Sequence, residues 1–120
     1  MRFMKSQSES KLRCKMEIAK TPKPPYYAVI FTSLLENQND GSYSQMAERM
    51  EELARKEDGF LGMESARNEV GITVSYWRDL ASIKKWKDNI EHQEAQNLGR
   101  NKWYKNYKVR IAKVERDYGY

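Results

Sequence analysis

Ten consecutive residues, Tyr26-Tyr-Ala-Val-Ile-Phe-Thr-Ser-Leu-Leu35, constrain the fold more than any other feature of the chain. The run is rich in β-branched and aromatic side chains, which favours a strand. It is also apolar on both parities, Tyr27/Val29/Phe31 on one and Ala28/Ile30/Leu34 on the other. Such a strand belongs inside a sheet that is covered on both faces.

The periodicity of the remaining chain supplies the cover for one face. Asn37-Gln-Asn-Asp-Gly41 is turn chemistry, and Ser42 with Gln45 forms a capping-box pair opening a helix. In that helix Met46, Ala47, Met50, Leu53 and Ala54 make one apolar stripe, and Asp58-Gly59 ends it. Leu61–Arg67 and Ile72–Trp77 read as strands joined by a hairpin at Asn68-Glu-Val-Gly71. Asp79 caps a second helix with Leu80, Ile83, Trp86 and Ile90 as its stripe and Gly99 as its stop, and a last strand spans about Tyr107–Asp117.

The order β-α-β-β-α-β predicts an α+β, ferredoxin-like domain: an antiparallel four-stranded sheet with both helices on one face. The other face of the first strand is apolar as well, so a second subunit's sheet is the economical cover and a homodimer is expected. With 120 residues there is material for one domain, assigned to 26–120. Residues 1–25 read as a disordered basic arm, poor in aliphatic residues and closed by Pro22, Pro24 and Pro25. Met16 would serve as a start site, so part or all of 1–15 is expected to be an upstream extension.

The formal charge is +5, from 22 basic and 17 acidic residues. Seven of the basic residues lie in the arm against only Glu9 and Glu17, so the folding part is neutral. Nucleic acid is therefore not expected as a partner. The alternation of aromatics and cations in Trp103-Tyr-Lys-Asn-Tyr-Lys-Val-Arg110 is read as a strand with one packed and one wet side.

No apolar run approaches the length of a membrane helix, and no secretory signal pattern is present, so no membrane partner is expected. One cysteine, Cys14, cannot close an intrachain disulfide, which fits a cytoplasmic protein. One histidine and one cysteine cannot build a structural zinc site, and neither G-x-G-x-x-G nor a Walker A loop occurs.

The stretches Gly59-Phe-Leu-Gly-Met-Glu-Ser65, Val74-Ser-Tyr-Trp77 and Trp86…Glu91-His92…Ala95…Gly99-Arg100…Trp103-Tyr104…Tyr107 resemble the antibiotic biosynthesis monooxygenase domain family over nearly all of 26–120. The resemblance implies a dimeric α+β barrel with a small-molecule pocket between sheet and helices. It implies a monooxygenase acting with molecular oxygen on an aromatic or tetrapyrrole ligand. No cofactor is required by the cofactor-free members, whereas haem is bound or degraded by others. The alternative within the same fold is a non-catalytic dimeric binding or structural member.

His92 is the only histidine, so any imidazole base or haem ligand must be this residue. On a straight helix it lies roughly opposite the stripe. A break at Asp88-Asn89, suggested by the pattern Asp88-x-x-Glu91, would instead give an inward face of His92, Ala95, Gln96 and Gly99, and both placements remain open. By resemblance, Trp86 stands where haem-degrading relatives carry a tryptophan. His92 follows it by six positions, a helical turn short of their spacing, and Thr32 and Ser33 stand where they carry an asparagine. His92 and Trp86 are thus the catalytic candidates, with Tyr76, Trp77, Arg100 and Trp103 as substrate-binding candidates. Trp86 and Trp77 read equally as core filling, and Arg100 equally as a cap for the last helical carbonyls.

Overall fold

The computed structural model describes residues 17–36, 42–97 and 103–120, with the backbone alone for Ser42 and residues 92–97. Six elements follow in the expected order: β1 (Tyr26–Leu35), α1 (Ser42–Arg55), β2 (Phe60–Arg67), β3 (Gly71–Trp77), α2 (Leu80–Asn97) and β4 (Tyr104–Val114). The strands form one antiparallel sheet in the order β2-β3-β1-β4. This is the ferredoxin-like arrangement, with β1 and β3 central and two edge strands.

Register assigns the faces. Tyr27 stands opposite Trp77 and Lys113, Val29 opposite Ser75 and Ile111, and Phe31 opposite Thr73 and Val109. This side meets the helices: Ala54 of α1, Trp77 and Ile83 of α2 are buried together, with Tyr27, Val29, Phe60, Met63 and Trp86 packed around them. The open side carries Tyr26, Ala28, Ile30 and Thr32 beside Tyr76, Val74 and Ile72.

Local chemistry accounts for the joints. Asp79 Oδ1 accepts from the Ser82 amide at 2.8 Å, so one of the orphan N–H groups of the α2 N-terminus is satisfied by the residue the sequence marks as its cap. Arg78 N–H donates to Gly59 O at 2.8 Å, closing the far end of the β2–β3 pair.

Four expectations need adjustment. β4 starts and ends three residues before the predicted Tyr107–Asp117: a register shift at Leu34/Leu35 lets Leu35 pair with Tyr104. α2 continues through Asp88 and Asn89 without a break. Leu80 is 54% exposed and so does not belong to that stripe. Within the arm, Glu17–Pro25 has no helix or strand, yet the Ala19 amide donates to Glu64 Oε2 at 2.9 Å on the open side. Gly62 permits this crossing, since a methyl there would sit 2.8 Å from Ala19 Cβ. The Asn37–Gly41 turn, Gly99, Cys14 and residues 1–15 lie outside the described residues.

Candidate functional site

The helix side of the sheet has two different ends. At one end Trp77, fully buried, stacks on Trp86 with ring centres 5.9 Å apart and planes at 25°, and meets Phe60 edge-on at 5.4 Å. Trp77 Nε1 donates to Ser75 Oγ at 2.8 Å, which satisfies both buried polar groups. Trp77 is therefore a core residue, and Trp86 is the partly exposed layer above it.

At the other end, along β1 by roughly 20 Å from Tyr27 to Ser33, four aromatic rings meet. Phe31 packs against Tyr104 at 5.4 Å and Tyr107 at 5.3 Å, Tyr104 against Tyr107 at 5.4 Å, and Tyr43 of α1 edge-on to Tyr104 at 5.7 Å. Arg67 reaches this cluster from β2. It donates through Nη2 to Ser33 Oγ, lies 3.5 Å from Tyr43 OH, and holds its Cζ 5.4 Å from the Tyr43 ring centre. Tyr107, Val109 and Ile111 of β4 continue this side as a half-exposed apolar row.

Among the described residues, the sequence candidates are not brought together. Trp77 and Trp86 share the core end. Tyr76 projects from the open side, where its hydroxyl donates to Glu64 Oε1 at 2.8 Å and its ring meets Tyr26 edge-on at 5.8 Å. Burial, and then this bond, push the Tyr76 phenol well above its ordinary value. Burial likewise raises Tyr26, followed by its hydrogen bond to Asp117. Trp103 is buried at the start of β4, its carbonyl accepting from Glu36 N–H at 2.8 Å, at the strand end remote from Trp77. The His92 side chain and all of Arg100 lie outside the described residues. Arg67 and Tyr43 escaped the sequence reading, and Phe31, Tyr104 and Tyr107 entered it only as strand or family-like residues, not as site candidates. Their proximity depends on sheet register, and only the strand-ending Arg67 and Gly71 around a hairpin hint at it.

A ferredoxin-like α+β fold with an aromatic-lined helix side defines the class. Within it, the chain belongs to the monooxygenase af470-like family, whose model matches residues 33–113. This is an antibiotic-biosynthesis-monooxygenase-like family, in accord with the resemblance. The chain is 52% identical over 101 residues to the uncharacterized protein YqjZ of Bacillus subtilis, covering 82% of this chain and 88% of that one. It is similar in fold to the crystal structure of PA3566 from Pseudomonas aeruginosa, with TM-score 0.62 at 18% identity over 81% of this chain and 99% of that one. It is also similar to NE2512 from Nitrosomonas europaea, a protein of unknown function, with TM-score 0.57 at 13% identity over 80% and 93%. Among the described residues no helix is long and apolar enough to cross a membrane.

Proposed function

We propose that the protein is a cytoplasmic, cofactor-independent monooxygenase that binds a planar aromatic molecule on the helix side of its sheet. The observation that carries this reading is the cluster of Phe31, Tyr43, Tyr104 and Tyr107 beside a half-exposed apolar row, in a chain of a monooxygenase-named family. Flat π-faces and edges at that spacing suit an aromatic ligand.

The reaction is written as oxidation of an activated ring methylene. One oxygen atom becomes the new carbonyl, the other leaves as water with the two methylene hydrogens, and the substrate supplies all four electrons. Oxygen is the only co-reactant. What the protein contributes is a dry wall and a held orientation for the substrate enolate. His92, the chain's one imidazole, is proposed to take the methylene proton, on chemical grounds alone. A haem version fits these residues poorly: Thr32 and Ser33 stand where the asparagine would, Ser33 is 2% exposed and occupied by Arg67, and Trp86 is stacked on the core.

We further propose that a second copy of the chain covers the open side. A non-catalytic binding module is the second reading, favoured by the packing of Trp77 and Trp86 as core. One experiment separates the two: incubation with anthrone under ¹⁸O₂. A catalyst gives anthraquinone with one labelled oxygen faster than the uncatalysed background, and a rate equal to background sinks the enzymatic reading.

A further inference from the structure

The ring cluster has a cation at its edge that no carboxylate among the described residues neutralises. Ser33, Gly71 and Arg67 stand side by side across β1, β3 and β2 on the helix side. Gly71 separates the other two, and a methyl group there would collide with Arg67 Cζ and Nη2. The guanidinium therefore passes directly over the Gly71 α-carbon to reach Ser33. Glycine weakens a strand, and here its place is explained by that close approach.

Among the described residues the anchors of Arg67 are all neutral: the Ser33 hydroxyl, 2% exposed, and the ring and hydroxyl of Tyr43. Two other arginines do pair with carboxylates. Arg55 pairs with Glu51, and Arg78 with Asp58 and Asp79. Both hydrogen-bond contacts of Arg67 with described residues use Nη2, which leaves the Nε and Nη1 donors and the charge for another acceptor. The anchors fix the position of that charge. Tyr107 stands opposite Ser33 on the neighbouring strand, about 5 Å away, and is 46% exposed, with Val109 and Ile111 beyond it at 47% and 52%.

We propose that Arg67 is the specificity residue of the aromatic site and takes a carboxylate carried by a planar aromatic ligand whose ring lies along Tyr107 and Val109. Arg67 is exposed, and a guanidinium whose orientation is already fixed by its anchors binds a carboxylate more strongly than a mobile surface cation does. The inference rests on the reading of this face as an aromatic-ligand site.

Equilibrium dialysis of the full chain at pH 7 tests it with 2-naphthoate and uncharged 2-naphthalenemethanol. The wild type is expected to bind the carboxylate at least about tenfold more tightly than the alcohol. Arg67→Gln should abolish that preference, bringing the two affinities together. Arg67→Lys, which keeps the charge but not the reach over Gly71, should retain only part of it. A wild-type chain that binds both probes alike, or an Arg67→Gln chain that keeps the preference, overturns the carboxylate clamp and leaves the aromatic site standing. Binding of neither probe overturns both.

Discussion

Trp77 lies flat on Trp86 at 5.9 Å while its indole N–H points to Ser75 Oγ at 2.8 Å, so one side chain closes the core and satisfies a buried hydroxyl. Replacing Trp77 by Phe removes ring volume from a fully buried place and leaves Ser75, 7% exposed, without its donor. Destabilisation of about 2–4 kcal/mol is expected, from cavity and unpaired hydroxyl together. Urea unfolding checks this, and a loss below about 1 kcal/mol would remove Trp77 from the core.

The open side predicts alkaline behaviour. Tyr26 and Tyr76 have raised phenol pKa values in the fold, mainly through burial. The unfolded chain ionises them near pH 10, before the folded chain does, so their contribution is complete below that pH and is lost as pH rises above it. Thermal midpoints should fall above about pH 10, and two of the eight tyrosines should ionise late in a titration at alkaline pH. Tyr76→Phe should flatten the alkaline fall while costing about 0.5–1 kcal/mol at neutral pH, because Glu64 loses a donor.

Asp79 is the α2 cap, and its hydrogen bonds to Ser82, then its contact with Arg78, hold its carboxyl below the ordinary value. A depressed carboxyl stabilises the fold above its unfolded pKa near 4, and the contribution is lost as pH falls through the lower folded value. Asp79→Ala should lower the melting midpoint by roughly 4–8 °C at pH 7 and by less at acidic pH. An equal loss at both would mean the carboxylate charge is not what caps the helix.

The elements were legible because their signals are local. The bounds of β1, the α1 stripe ending in Ala54 and the Asp79 cap each follow from a few neighbouring residues. The site was less legible because it is assembled by register. Ser33 and Arg67 are 34 positions apart, and only the pairing of both strands with β3 sets them on either side of Gly71. One separation was within reach of sequence alone: adjacent residues of a strand face opposite ways, so Tyr76 and Trp77 could not line one pocket once Gly71–Trp77 was read as strand.

Haem titration addresses the candidate His92 directly. The expected result is no change in the Soret band on adding the chain, with His92→Ala behaving identically. A Soret shift abolished by that substitution would restore a haem-linked function.

The open side argues for the oligomeric state. Ile30 and Val74 are only partly covered, Ile72 is 45% exposed, and the Ala19 crossing covers the neighbouring Gly62–Glu64 stretch of β2 instead. An apolar strip flanked by Arg110 and Lys108 has the composition of an interface centre with a polar rim. Light scattering at micromolar concentration should give twice the 14.2 kDa chain mass. Ile72→Asp introduces a charge where the single chain already meets solvent, so folding should persist while association weakens at least about tenfold. A monomeric wild type, or an Ile72→Asp chain that associates as before, would place the interface elsewhere or remove it.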